Sequence, residues 1–219
     1  MSIHRRIYPA TPFPTTIHPQ PHLIIMEQKE FLPHEVQHIL RAKEAVKESL
    51  IEFNMTLGKL GIGYQKSYFV SGGCIASFLQ GEKPKDIDVW FVSEYYAKPV
   101  TNLYTNDPSY MSEVAVYDEK YREIKGHPGS MCITENAITL RNGIQLITKH
   151  YGIPEDVRKT FDFVHCMPYY DTRDDKLFIS RQQYECCIDK KLVINNTASL
   201  TTWRESKLKL RGYNYVNVA

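Results

Sequence analysis

The stretch that decides the fold runs Tyr68-Phe-Val-Ser-Gly-Gly-Cys-Ile-Ala-Ser-Phe-Leu-Gln-Gly-Glu-Lys-Pro-Lys-Asp-Ile-Asp-Val-Trp-Phe91. Its pattern predicts a short apolar strand over residues 68–70, a helix over residues 74–80 and a second strand over residues 86–91. The bend Ser71-Gly72-Gly73 joins the first strand to the helix. Because glycine has no Cβ, the backbone of this bend can approach a ligand closely.

Two acids, Asp86 and Asp88, begin the second predicted strand. Side chains alternate along a strand, so both carboxylates lie on one face, about 7 Å apart. Two carboxylates at this spacing can share a pair of divalent cations. The amino end of the short helix favours a phosphate nearby. Asp-x-Asp alone is typical of an ordinary exposed strand, but its combination with the glycine bend predicts a metal-bound phosphate site.

Three pieces of this stretch, Ser71-Gly-Gly-Cys, Gly81 and Lys85-Asp-Ile-Asp-Val, resemble the nucleotidyltransferase signature of the DNA polymerase β superfamily. Their spacing is similar to the Gly-Gly-x-x-Arg-Asp…Gly…Asp-x-Asp fingerprint of tRNA nucleotidyltransferases and bacterial poly(A) polymerases. Ala76-Ser77 stands at the Arg-Asp positions, which weighs against activity on tRNA ends but not against the superfamily. The whole chain resembles the small predicted nucleotidyltransferases of tailed bacteriophages.

The resemblance implies a twisted mixed α/β sheet with helices packed on one side. It also implies a metal-dependent enzyme that moves a nucleoside monophosphate from an NTP to an acceptor hydroxyl and releases pyrophosphate. Two Mg²⁺ ions, or Mn²⁺, would be held by the catalytic acids Asp86, Asp88 and Asp162. The third of these acids is assigned because the superfamily takes it from a later strand. The β- and γ-phosphates would be held by Ser71, Gly72 and Gly73.

The third acid lies in the segment Thr160-Phe-Asp-Phe-Val-His-Cys166, whose alternation predicts a strand. Asp162, Val164 and Cys166 would share one face of it. An acid among apolar and aromatic residues is costly unless it is paired or metal-bound. The alternative is a strand-edge acid that faces water. His165 would lie on the other face, and we interpret it as a core histidine.

A basic segment near the carboxyl end begins with Thr202-Trp-Arg-Glu205, which fits a capping box and predicts a short helix. Its cations either form a solvated face or neutralise a triphosphate. Because the segment resembles the basic helix that follows the core of small nucleotidyltransferases, Arg204 and Lys207 are the leading nucleotide-binding candidates.

Composition limits the classes of protein to consider. The chain has 219 residues, 42% of them hydrophobic and 24% charged, which is typical of a globular protein. A net charge of +2 neither implies nor excludes a nucleic-acid partner. Five cysteines without a Cys-x-x-Cys motif indicate a reducing compartment rather than a disulfide framework. No apolar run is long enough to span a membrane, so we expect a cytoplasmic protein, acting in the host cytoplasm if it is phage-encoded.

We predict three parts: a proline-rich extended arm over residues 1–30, a catalytic domain over residues 31–195 and a basic helical tail over residues 196–219. The arm would lie across the domain or across a partner subunit, giving a homo-oligomer. Residues 33–60 predict one amphipathic helix. Lys98-Pro99 and Asn106-Asp-Pro108 predict turns, and residues 126–129 predict a loop. The section over residues 92–130 would help to select the acceptor.

The acceptor itself is left open by the sequence, because RNA, a protein hydroxyl, a small molecule or another nucleotide all fit this core. A second class of function is also open. The chain would then be a non-catalytic nucleotide-binding or interaction protein on a transferase fold, using its arm for assembly. Three mutually repelling acids weigh against an idle site.

Overall fold

The structure, a computed structural model, describes residues 31–116 and 131–216. The helices are α1 (Pro33–Ser49), α2 (Ile51–Leu60), α3 (Ile62–Gln65), α4 (Gly73–Leu79), α5 (Glu94–Asn106), α6 (Pro108–Met111), α7 (Pro154–Arg158), α8 (Arg181–Ile188) and α9 (Thr202–Leu210). The strands are β1 (Tyr68–Ser71), β2 (Ile87–Phe91), β3 (Ala137–Thr139), β4 (Ile144–Ile147), β5 (Tyr169–Asp171), β6 (Lys176–Phe178), β7 (Lys191–Leu192) and β8 (Asn214–Tyr215). The predicted arm over residues 1–30, the loop over residues 126–129 and the last three residues of the tail lie outside the described residues.

Six of these strands form one mixed sheet in the order β3-β4-β2-β1-β5-β6. β2 runs parallel to β4, and the other neighbouring pairs are antiparallel. β1 and β2 lie side by side at the centre, with Val70 opposite Val89. The predicted mixed α/β fold is therefore confirmed, and the two strands flanking the glycine bend are its central pair.

The larger helices pack on one face of this sheet. Val46 of α1, Phe53 of α2 and Leu50 between them are buried with Val70 and Val89 from the central strands. The single helix predicted over residues 33–60 is wrong, because the chain forms α1 and α2 with a break at Leu50. Just before the break the Ser49 hydroxyl donates to the Ala45 carbonyl at 2.8 Å, a bond that bends helices.

The opposite face of the sheet carries Phe69, Phe161 and Tyr169 in a second buried cluster. The strand predicted over residues 160–166 is wrong: this segment is a turn followed by a 3₁₀ helix at Val164–Cys166. The Asp162 carboxylate accepts a hydrogen bond from the neighbouring N–H of Phe163, and such local bonds compete with strand pairing. The next segment along the chain, β5, is a strand and pairs with β1.

Two other local predictions had different outcomes. The turn at Lys98-Pro99 is wrong, since Pro99 lies inside α5, where Ala97, Val100 and Tyr104 bury one helical face. The turn before Pro108 is confirmed, because Asp107 accepts from the Ser109 N–H at 2.9 Å and begins α6. None of the described helices combines the length and the apolar character that crossing a bilayer requires.

Candidate active site

A cleft of about 340 Å³ opens where the glycine bend, the start of β2 and α9 meet. Its acidic lining residues are Glu82, Asp86 and Asp88. Its lysines and arginines are Lys83, Lys85, Arg204, Lys207 and Arg211. The described structure thus brings the Asp-x-Asp motif and the basic carboxyl-terminal helix, distant in sequence, to one cavity.

The two acids of the motif lie at the start of β2, one just before it and one as its second residue. Both side chains are half-buried. The pKa of Asp88 is raised from 3.8 to about 7, chiefly by burial and then by repulsion from Asp86. The positive charges of Arg204 and Lys207 offset only part of this rise. Burying two neighbouring acids this way is unfavourable without a counter-charge, so this pair fits a divalent cation.

Gly72 lies directly against one of these acids. Its φ is 109°, a conformation that residues with a Cβ rarely adopt. A Cβ built at this position would lie 2.7 Å from Oδ2 of Asp88. The bend must therefore be glycine at residue 72 for the first central strand to pass so close to the carboxylate.

The donors that the resemblance assigned to phosphate are partly used inside the protein. The buried Ser71 hydroxyl is within hydrogen-bond distance of two carbonyls, Pro168 O at 2.8 Å and Cys166 O at 3.2 Å. The Gly72 N–H donates to Cys166 O at 3.0 Å. These bonds engage the Ser71 hydroxyl and the Gly72 N–H, two of the predicted phosphate donors, and anchor the bend to the segment before β5. Gly73 lines the cleft.

Asp162 is 4% exposed, and both its oxygens have protein partners. Oδ1 accepts from the Phe163 N–H at 2.9 Å, and Oδ2 accepts from Nε of Arg204. Within residues 31–116 and 131–216, no group of three or more His, Cys, Asp or Glu side chains is arranged to hold a metal ion. The three predicted acids therefore do not form one cage among the described residues, and Asp162 is paired with the guanidinium of Arg204.

A second cavity, of about 280 Å³, shares part of its wall with the cleft. Asp88, Arg204 and Cys166 line both cavities, whereas Asp162 lines only the second one. Asp162 therefore faces the same space as one acid of the motif, although it is not grouped with both of them.

The basic helix α9 directs its cations to different places. Lys207 and Arg204 both line the cleft, and their binding of a nucleotide stays a prediction. Burial lowers the pKa of Lys207, and its ammonium lies 5.2 Å from the ring centroid of Trp203. Arg211 donates to the Ser77 hydroxyl at 3.0 Å. Lys209 turns away and pairs with Glu205 at 2.7 Å.

Sequence reasoning missed two kinds of residue. Lys83 and Lys85 line the cleft, and their place in the loop before Asp86 was the available signal. Cys166 was assigned only to a strand face, yet its sulfur accepts from Arg204 Nη2 at 3.3 Å. His165 is 1% exposed, and burial lowers its pKa to about 3, as expected for a core histidine.

Comparison with known proteins gives a family and a fold. The sequence model of the Gabija anti-defense 2 family protein matches residues 42–190. The Thermotoga maritima CCA-adding enzyme complexed with tRNA has a TM-score of 0.50 and 15% identity, over 79% of this chain and 42% of that one. CCA-adding enzyme structures with CTP and with ATP each have a TM-score of 0.47, at 16% and 17% identity, over 78% of this chain and 42% of theirs.

The match to the Thermotoga maritima enzyme shows a shared nucleotidyltransferase fold. The chain spans 42% of the length of that enzyme, which therefore contains a large part without a counterpart in the match. No curated protein matched the sequence.

Proposed function

The chain belongs to the Gabija anti-defense 2 family, and we propose that it is a metal-dependent nucleotidyltransferase. It would transfer a nucleoside monophosphate from an NTP to an acceptor hydroxyl and release pyrophosphate. The observation that carries this proposal is the cleft in which Asp86 and Asp88 lie beside five lysine and arginine side chains. The fold shared with CCA-adding enzymes supports the same activity.

The basic residues would bind the triphosphate. A triphosphate carries several negative charges, and lysine and arginine neutralise them through charge-assisted hydrogen bonds. Lys83 and Lys85 approach from the loop before β2, whereas Lys207 lies on the carboxyl-terminal helix and Arg211 directly follows it. The phosphates would thus lie between two elements that are far apart in the chain.

The two acids of the motif would hold Mg²⁺ or Mn²⁺. When bound, such an ion polarises the phosphoryl group and lowers the pKa of the acceptor hydroxyl. Without a cation Asp88 has a pKa of about 7 and is partly protonated near neutral pH. The protein's own contribution is therefore to keep the two acids of the motif next to a backbone bend that leaves room for the phosphate.

The acceptor hydroxyl would enter through the second cavity. In-line displacement requires the attacking and leaving oxygens on opposite sides of the phosphorus, and a separate cavity that shares Asp88 with the cleft offers a second approach to the metal site. Asp162 lines the second cavity, where it is paired with Arg204, and would orient the acceptor hydroxyl there. Thr160 and Ser199 line the same cavity.

The family description names the Gabija defence as the process opposed. We extend the proposal accordingly: the acceptor is a component of that defence, and an added nucleotide blocks it by its bulk and charge. The modification would take place in the cytoplasm, which is the host cytoplasm if the protein is phage-encoded.

The test is transfer of label from α-³²P NTPs, with Mg²⁺ or Mn²⁺, to the purified components of the Gabija defence, to RNA and to small-molecule fractions. We expect label on a Gabija component together with release of pyrophosphate. D86N and D88N should abolish both, and D174N, at an exposed acid outside the cleft, should retain both. Unchanged transfer by D88N would refute the assignment of the site.

The ion pair between Asp162 and Arg204 favours a second candidate, a nucleotide-binding protein without transferase activity. In that case Asp162 would be structural, and the chain would oppose its target by binding it. The same assays separate the two: NTP binding without pyrophosphate release, with D88N still opposing Gabija in cells, supports the second candidate. Assembly through residues 1–30 stays a prediction, which sedimentation of the full chain and of residues 31–219 would test.

A further inference from the structure

The outer surface of α9 carries a large exposed aromatic ring. Trp203 is one of two tryptophans in the chain, and it is 65% exposed. Tryptophan is highly buried on average in folded proteins. An exposed indole is therefore a stronger indication of a binding surface than an exposed small apolar side chain. The Lys207 ammonium lies over the ring at 5.2 Å from its centroid. This cation covers one face of the indole, and most of the rest of the ring is accessible to solvent.

The ring lies next to the cleft. One helical turn after Trp203, Lys207 lines the cleft, and the following residue, Leu208, is buried. Arg204, adjacent in sequence to Trp203, lines the cleft as well. The indole is therefore one side chain away from the wall where the triphosphate would bind. In a nucleotide the base is separated from the α-phosphate by a single sugar.

We infer that Trp203 is the platform on which the base of the bound NTP stacks. This inference rests on the proposed function, because it takes the phosphate end of the nucleotide to be held by the cations of the cleft. Each nucleobase has an aromatic face, and stacking on an aromatic side chain does not depend strongly on which base is present. Lys207 on one side of the indole would contact phosphate and support the ring at the same time.

The lining of the cleft also favours weak base selectivity. Asn and Gln side chains, which read base edges by paired hydrogen bonds, are absent from the described residues that line it. Glu82 accepts from Lys190 at 2.9 Å, and Arg204 is paired with Asp162. Stacking without edge recognition predicts that the four NTPs bind with affinities within about tenfold of one another.

The experiment compares NTPs with a ligand that has phosphates but no base. Dissociation constants would be measured by calorimetry for the Mg²⁺ complexes of non-hydrolysable ATP, CTP, GTP and UTP analogues and of inorganic tripolyphosphate. We expect W203A to weaken every NTP analogue by about 5- to 150-fold and to leave tripolyphosphate unchanged. W203F should recover most of the affinity. L210A is the matched control, because Leu210 is 90% exposed on the same helix.

The outcomes separate this inference from the function it rests on. If wild-type protein binds the NTP analogues and W203A binds them equally well, or loses tripolyphosphate to the same extent, Trp203 is not a base platform and the nucleotide site stands. A wild-type preference for one base far above tenfold also overturns the inference. If wild-type protein binds neither NTP analogues nor tripolyphosphate, the proposed function fails and this inference fails with it.

Discussion

Asp88 should destabilise the metal-free protein at neutral and alkaline pH. Its pKa is raised from 3.8 to about 7 by burial and by the neighbouring Asp86. A pKa raised by about three, at about 1.4 kcal/mol for each tenfold change in proton affinity, costs about 4 kcal/mol when the group is ionised. Asp88→Asn removes the charge and keeps nearly the same shape, so it should stabilise the metal-free fold by an amount of this order.

The sign of the pH dependence follows from the direction of the shift. A carboxyl with a higher pKa in the folded state binds its proton more tightly there, so acid favours the folded wild type. The disadvantage of Asp88 is complete above the folded pKa of about 7 and disappears as the pH falls towards the unfolded value of 3.8. The stability difference between D88N and wild type should therefore be largest near pH 8 and small near pH 4.

The assay is urea unfolding of both proteins from pH 4 to pH 8 in the presence of EDTA, repeated with Mg²⁺. A cation that binds only the folded wild type adds about 2.7 kcal/mol at one hundred times its dissociation constant. Mg²⁺ should thus narrow the difference at pH 8 by stabilising wild type and not D88N. D174N, which removes an exposed acid, is the matched control and should track wild type.

Two results would refute this reasoning. The first is a stability difference between D88N and wild type that stays constant across the pH range, because burial and repulsion would then not raise the pKa. The second is equal stabilisation of both proteins by Mg²⁺ at pH 8, because the cation would then bind somewhere other than the acidic pair.

Three further variants test how the site is built. Gly72→Ala should lose transfer activity and at least about 1–2 kcal/mol of stability, because residue 72 has a positive φ. Thermal unfolding would measure the loss against Gly63→Ala, whose added Cβ meets no atom within 4 Å. A fully active G72A would contradict the close approach of the bend to Asp88. Ser71→Ala should lower the free energy of unfolding by about 1–3 kcal/mol, because it leaves a buried carbonyl without its donor. The KM for NTP should be unchanged, and a raised KM would show that Ser71 binds phosphate. Arg204→Ala should destabilise the folded protein by about 3–5 kcal/mol, because the buried charge of Asp162 loses its partner. Adding Asp162→Asn should recover part of this loss in urea unfolding. No recovery would mean that the two side chains are not coupled.

The half of the site that could be predicted from sequence is local. Gly72, Asp86 and Asp88 lie in one strand–bend–helix–strand unit, so their order along the chain already indicates that they meet. Side-chain alternation also places Asp86 and Asp88 on one side, whether or not the first of them belongs to the strand. Short-range rules were enough because the groups are held by neighbouring hydrogen bonds and by the central pair of strands.

The rest depends on distant parts of the chain that local patterns do not specify. The local sequence around Ser71 predicts a phosphate ligand. Its hydroxyl is hydrogen-bonded in the structure because the carbonyls of Cys166 and Pro168, nearly one hundred residues later, lie beside it. The apolar residues around Asp162 correctly predicted that its negative charge needs a positive partner. They did not specify whether that partner is a metal ion or a guanidinium. Arg204 lies on a helix that was predicted to be a separate tail, so its pairing with Asp162 could not be inferred.

The carboxyl-terminal helix completes the cleft that the Asp-x-Asp strand begins. Leu208 and Tyr213 are buried with Phe163, which anchors this end of the chain beside the segment that carries Asp162. From the same helix and its carboxyl end, Arg204, Lys207 and Arg211 provide three of the five lysine and arginine side chains of the cleft. The acids come from residues 86–88, and most of the cations come from residues after 200. The described site can therefore form only when the start of β2 and α9 have packed against each other. Binding of a triphosphate between them would therefore stabilise the docked helix, so NTP should protect the backbone of α9 from hydrogen exchange more than it protects the central strands.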